Sequence, residues 1–193
     1  PDGDCLEDVK FELHAMSPYA FNNPHMNGMH GKFGTIALNT GDSVEVRMIM
    51  KDLLTDELVE PPFLPLSIYD IDENNDGSGR EWVIAHGEHT STMEAVAKIL
   101  KSKHDKGHIY EAQVGHGMAV NPEKPDQLTP DQKLRSVAFN FIKPKEVRFT
   151  IGSEKGAALR IFSFSMMNAL SACHDELLYD ITTAAPTTAG TTT

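Results

Sequence analysis

The amino-acid pattern predicts an all-β domain, an antiparallel β-sandwich of the jelly-roll or immunoglobulin-like type. Three observations carry that expectation. Apolar residues alternate with polar ones in short runs, and Gly, Pro, Asn and Asp punctuate the chain between those runs. The only two cysteines, Cys5 and Cys173, stand at the two ends of the patterned part.

Taken in order, Val9, Phe11 and Leu13 alternate with Lys10, Glu12 and His14, which makes a first strand beside Cys5. Residues 33–38 and 44–50 are two further runs. Between them Asn39-Thr40-Gly41-Asp42 has hairpin chemistry, so the two are expected to pair. Residues 64–69 and 81–85 flank an acidic loop, and 110–114 is another strand candidate. Val137, Phe139 and Phe141 alternate, Lys143-Pro144-Lys145 turns the chain, and Val147, Phe149 and Ile151 alternate again; this is the clearest hairpin pattern. Residues 159–166 close the series, with Leu159, Ile161, Phe162 and Phe164 as expected core.

Two segments break the alternation. Thr129-Pro130-Asp131-Gln132 reads as a capping box with Pro at the first helical position, so 130–135 is expected to form a short helical turn. Residues 91–103 fit two states. Ser91 with Glu94 would cap a helix carrying Met93, Val96, Ala97 and Leu100 on one face, whereas the all-β context argues for strand. No internal repeat is visible.

Length and composition place the pattern in one domain, residues 1–181, followed by a linker at 182–193. The chain has 193 residues, 40% of them hydrophobic, which is enough for a single generous core. A formal charge of -11 without a basic cluster argues against a nucleic-acid backbone or an anionic membrane as the main partner. Acidic excess suits a soluble surface and equally suits calcium. No apolar run is long enough to span a bilayer, and Pro1-Asp2-Gly3-Asp4 reads as the start of a mature or excised fragment. From Thr182 the chain is Thr, Ala, Pro and Gly only and has nothing large to bury. Such a segment is either a plain flexible tether or an O-glycosylated stalk with Thr182, Thr183, Thr187, Thr188, Thr191, Thr192 and Thr193 as acceptors. Since a stalk implies secretion, Cys5 and Cys173 are expected to form a disulfide, two separate buried thiols being the alternative. On the chain-entropy model that closure restricts the unfolded chain by about 5 kcal/mol.

The loop from Asp70 to Glu81 is the one stretch with metal-ligand character. Read from Asp72, Asp-x-Asn-x-Asp-Gly sets oxygen side chains at alternate positions before a turning glycine, but the twelfth position falls on Val83. Read from Asp70, the twelfth position is Glu81 and Asn75 stands where glycine is wanted. Asp70, Asp72, Asn74, Asp76 and Glu81 with one or two carbonyls would supply enough oxygens for calcium. An acidic Asn/Asp/Gly/Ser loop is also how a solvated turn is written, and both readings stand.

Catalysis has no anchor. No nucleophile elbow, phosphate loop or dinucleotide fingerprint occurs. His86 and His89 lie among Gly and Thr residues that do not hold a helix, so their spacing argues for loop histidines over a zinc hydrolase, and His25, His30, His104, His108 and His116 show no ligand spacing. Trp82, Tyr19, Phe21 and Tyr69 are candidates for packing against sugars. Trp82 is expected instead in the core of its strand, on the same face as Ile84.

With these elements placed, the chain resembles secreted domains of algal and related protist cell-surface proteins, often in tandem and separated by Thr/Pro-rich linkers. The likeness rests on Asn27-Gly28-Met29-His30-Gly31-Lys32-Phe33-Gly34, on Leu66-Ser67-Ile68-Tyr69-Asp70-Ile71-Asp72 with Gly79-Arg80-Glu81, on Leu128-Thr129-Pro130-Asp131-Gln132, and on the closing strand that runs to Cys173. It covers most of residues 6–173. One departure is Met29, where the group leads one to expect a cysteine nearby. The resemblance implies a β-sandwich in a large surface or matrix protein, a strand over 91–103, and no transferable catalytic residue. The expected function is a structural or adhesive module that contacts other cell-surface proteins or copies of itself in a fibre. The alternative is a calcium-assisted carbohydrate-binding domain.

Overall fold

The computed structural model describes residues 9–19, 24–113, 121–157, 159–166 and 178–180. Cys5, Cys173, Phe21, His116 and the seven candidate glycosylation threonines lie outside them.

The strands form two stacked sheets, as the alternation predicts. One has seven strands in the order β13 (Leu178–Asp180), β1 (Val9–Ala15), β4 (Ser43–Asp52), β11 (Val147–Ser153), β6 (Glu81–His86), β9 (Gly107–Ala112) and β8 (Ile99–His104). The other has six, in the order β2 (Gly28–His30), β3 (Phe33–Leu38), β12 (Arg160–Ser165), β5 (Phe63–Tyr69), β10 (Val137–Ile142) and β7 (Thr90–Thr92). Every pairing is antiparallel except that of β1 with β13.

The period of two buries one face of each sheet. Phe11, Met48, Val83, Tyr110 and Phe149 from the first sheet meet Leu66, Ile68, Phe139, Phe162 and Phe164 from the second. Tyr110 and Phe139 bridge the layers edge to face, with ring centroids 5.0 Å apart. Each such side chain contributes roughly 1.5–3 kcal/mol by leaving water.

The connections differ from the sequence expectation in an informative way. Residues 33–38 and 44–50 do not pair: β3 binds β2 and β12, whereas β4 binds β1 and β11. The apparent hairpin at Lys143-Pro144-Lys145 is likewise a crossing, since β10 binds β5 and β7 while β11 binds β4 and β6. Consecutive strands in a sandwich bury their apolar faces against each other across about 10 Å, and a short turn spans that gap as readily as it closes a hairpin. Residues 91–103 contain no helix. They are the end of β7, a turn in which the Ala97 amide donates to the Glu94 carbonyl, and most of β8. The strand expected over 110–114 begins earlier, at Gly107, and Val114 is outside the described residues. In β12, Phe162 and Phe164 are core, but Leu159 and Ile161 are 45% and 37% exposed because they fall in the opposite phase of the pleat.

The helical turn is present as α1 (Pro130–Lys133), with Thr129 at the N-cap and a reciprocal capping box to Gln132. Its C-terminal end hands the chain to β10 through Arg135, the largest fully buried side chain among the described residues.

Candidate functional site

The acidic loop connects β5 in one sheet to β6 in the other, so its backbone crosses the edge of the sandwich. Asp70 turns the chain with φ of 60°, a left-handed value that Asp tolerates better than most residues. Ile71 then inserts fully into the core, and its amide donates to the Arg135 carbonyl at 2.9 Å. That anchor fixes Asp72, whose amide donates to Glu81 Oε2 at 3.1 Å while the Glu81 amide donates back to the Asp72 carbonyl at 2.9 Å.

Two arginines from elsewhere in the chain close on these carboxylates. Arg135 Nη1 pairs with Asp70 Oδ1 and lies 3.3 Å from Asp72 Oδ2. Arg160, at the start of β12, donates from Nη1 to Asp72 Oδ1 at 3.2 Å and from Nη2 to Asn74 Oδ1 at 2.8 Å. Arg160 Nη1 is also 3.9 Å from Glu81 Oε1. Gly79 makes room for this guanidinium. It sits at φ of 64°, and a Cβ there would lie 2.5 Å from Arg160 Nη2.

Burial dominates the electrostatics. It raises Asp72 to about 6, with the neighbouring Asp70 adding to the rise and the two arginines opposing it. Glu81 is pushed well above the ordinary carboxylate range, again by burial first and by Asp72 second. Asp70, Asp72 and Glu81 crowd three carboxyl groups beside the guanidinia of Arg135 and Arg160, and Asp131 Oδ2 lies 3.6 Å from Arg135 Nε. A low-dielectric site opposes simultaneous charge on neighbouring carboxyls, which is why Asp70 raises Asp72 and Asp72 raises Glu81. Asp76 stands apart. Its Oδ1 accepts from the Ser78 amide and hydroxyl at 2.9 and 2.7 Å, and those bonds lower its pKa.

Of the five ligand candidates, the fold therefore gathers Asp70, Asp72, Asn74 and Glu81 around arginine side chains and leaves Asp76 on its own turn. Among the described residues, no group of three or more His, Cys, Asp or Glu side chains is disposed to hold a metal ion. The arrangement supplies fixed, internally compensated charge at the rim of the sandwich. Arg135 and Arg160 were missed by motif reading, although Arg160 carries a signal: it shares the inward phase of Phe162 and Phe164. A charge in an apolar phase needs a buried partner.

The histidines serve separate ends. His86 Nε2 bonds Thr150 Oγ1 at 2.9 Å, whereas His89 places its ring against Phe139 and Phe141 with centroids 5.5 and 5.7 Å away. Burial lowers the pKa of both. Trp82 and Ile84 do share a face, as expected, but it is the outer face of the seven-stranded sheet. The half-buried indole lies across Gly152, its cross-strand partner, where a Cβ would sit 2.3 Å from Cζ2. Tyr19 and Tyr69 are engaged through their hydroxyls, the first with the Ala37 carbonyl at 2.7 Å and the second with Ser165 Oγ at 2.7 Å.

No protein-family model matches the chain, and no curated protein matches it. Among solved structures, the N-terminal domain of the Streptococcus gordonii adhesin Sgo0707 aligns with 65% of this chain and 27% of its own, at 10% identity and a TM-score of 0.46. The adhesin domain of PrgB from Enterococcus faecalis aligns with 69% and 56%, at 10% identity and a TM-score of 0.42. AvmM, described as catalysing macrocyclization in alchivemycin A biosynthesis, reaches a TM-score of 0.21 at 14% identity. The chain thus spans about a quarter of the first and about half of the second, and no residue role is transferred from any of them.

Proposed function

We propose that the domain is a structural or adhesive module of an extracellular or cell-surface glycoprotein, one bead of an array that contacts neighbouring surface proteins or copies of itself. The observation that supports this reading is the destination of its charged loop. Asp70, Asp72, Asn74 and Glu81, the side chains most suggestive of chemistry, are engaged by Arg135 and Arg160 at a junction between the sheets. Charge spent on holding the sandwich closed fits a scaffold. The composition of the Thr/Pro tail and the resemblance to tandem surface domains favour the extracellular setting.

The test is bead adhesion. Beads coated with residues 1–193 are expected to cluster, or to hold immobilised surface glycoproteins under shear, and Trp82→Ala on the outer sheet face is expected to reduce retention at least twofold. Folded chain on beads that stay dispersed, and that bind no member of the panel, would overturn the reading.

A second reading, carbohydrate binding assisted by calcium, is favoured by one observation: the half-buried Trp82 ring covers Gly152 on the outer sheet face directly after the acidic loop. A glycan array probed with calcium and with chelator separates its parts. Signal that disappears with chelator supports it whole, equal signal in both supports the sugar site without the ion, and a blank array in both rejects it.

A further inference from the structure

The outer face of the seven-stranded sheet carries a row of basic side chains that are scattered along the sequence and gathered only by the fold. The register sets His14 of β1 opposite Arg47 of β4, and Arg47 opposite Arg148 of β11. His86 of β6 continues the row, since its neighbour Ala85 faces Phe149, the neighbour of Arg148. All four stand in the outward phase of the pleat, because Leu13, Met48, Ala85 and Phe149 beside them belong to the core. Lys106, in the turn between β8 and β9, joins the row through a 2.8 Å bond from its Nζ to Glu45 Oε2.

Two arginines directly opposite each other repel, and a sheet avoids that pair unless something holds it. Glu146 holds it here: Oε2 accepts from Arg47 Nε at 2.6 Å and Oε1 accepts from Arg148 Nε at 2.7 Å. Burial works against the Glu146 charge, and the two arginine bonds overcome it and keep its pKa low. Only the Nε of each guanidinium is used. The Nη groups of both have no hydrogen-bond partner among the described residues, and the two side chains are 34% and 43% exposed. Two planar forks thus stand on adjacent strands, about 4.8 Å apart at the backbone, with a fixed carboxylate between them. Three cations, Arg47, Arg148 and Lys106, meet two carboxylates, Glu45 and Glu146, so the band keeps a positive surplus on a chain whose formal charge is -11.

We propose that this band binds a linear acidic polysaccharide, with Arg47 and Arg148 gripping its sulfate or carboxylate groups through their Nη atoms and Lys106 engaging a further anion along the row. A guanidinium fork pairs at two points with either kind of oxyanion. The row runs across four neighbouring strands, which suits an extended ligand better than a compact one. Charge density separates that ligand from a nucleic acid. A duplex carries one charge per about 1.7 Å, and the acidic remainder of this chain repels such a density, whereas a sparsely charged glycan meets the band alone. The inference deepens the adhesive reading by naming the chemistry of the surface that is held, and rests on that reading for its purpose. The binding itself needs neither adhesion nor calcium.

The experiment is calorimetric titration of residues 1–193 at neutral pH and low salt, with chelator present, against dextran sulfate, polygalacturonate, neutral dextran and a DNA duplex. At least one acidic polymer is expected to bind, and which of the two binds identifies the anion as sulfate or carboxylate. Arg47→Ala with Arg148→Ala is expected to weaken that binding roughly tenfold. Arg148→Lys, which keeps the charge but not the fork, is expected to weaken it about threefold and serves as the second variant if the double one does not fold. Lys143→Ala with Lys145→Ala, at the crossing between β10 and β11, is expected to leave it unchanged. Failure of both acidic polymers to bind, equal binding of neutral dextran or DNA, an equal loss in the lysine pair, or full binding in folded arginine variants would each overturn the proposal. A dimer in sedimentation that the arginine variants abolish would overturn it too, since the occupant of the band is then a second copy. Polymer bound by a chain whose coated beads do not adhere overturns the adhesive reading alone.

Discussion

Arg160 begins β12 one pleat before Phe162 and Phe164, and its guanidinium reaches Asp72, Asn74 and Glu81 instead of solvent. Truncating it strands partly charged carboxyls in a site they cannot leave. Arg160→Met is therefore expected to destabilise the fold by about 3–5 kcal/mol, read as a lowered urea midpoint. Gly79→Ala affects the same contact from the other side, through a left-handed φ and a Cβ that meets Arg160. A loss of about 1–3 kcal/mol in urea unfolding is expected. The pH dependence has a definite sign. Asp72 in the fold titrates at about 6, above its unfolded value of 3.8, because burial and Asp70 oppose its charge. The stability this proton supports is complete below 3.8 and is lost as pH rises through 6. Between pH 4 and 7 the unfolding free energy of Asp72→Asn should gain on that of the parent, whereas parallel pH profiles would show that Asp72 does not carry the effect. Calcium is expected to leave the melting temperature unchanged, since the candidate ligands already face guanidinium groups or their own turn; a rise of several degrees would mean that the ion displaces an arginine.

At the scale of elements, the chain repeatedly places a turn where it changes sheets. Asn39-Thr40-Gly41-Asp42, the acidic loop and Lys143-Pro144-Lys145 each connect a strand of one sheet to a strand of the other. Strand identity was legible because alternation is a local property: Val137, Phe139 and Phe141 announce a half-buried strand whichever neighbour they meet. Pairing was not legible, because Val147, Phe149 and Ile151 face Phe139 across the core as favourably as they would flank it within one sheet. An isolated peptide covering residues 134–155 is accordingly expected to show no cross-strand contacts by NMR, despite its hairpin-like sequence. Its two strands have partners only in the rest of the domain. The capping box at Thr129 was readable in full, since both of its bonds lie within four residues.

Over the whole molecule, closure depends on contacts between distant segments: β1 with β4 and β13, β12 with β3 and β5, β11 with β4 and β6. Such topology pays loop entropy before it gains contacts, so refolding is expected in milliseconds to seconds, followed by the fluorescence of Trp82, the only tryptophan. The amino-acid sequence by itself determined the all-β class, most strand positions, the helical turn and the location of the charged loop, because each follows from periodicity or from bonds between near neighbours. Only the tertiary structure decided which strands share a sheet, that Trp82 lies on the outer face, and that Arg135 and Arg160 meet the loop carboxylates. The contacts of Arg135 and Arg160 with Asp72 alone join residues 63 and 88 positions apart. A partner so distant is selected by how two layers pack, and no local pattern encodes that choice.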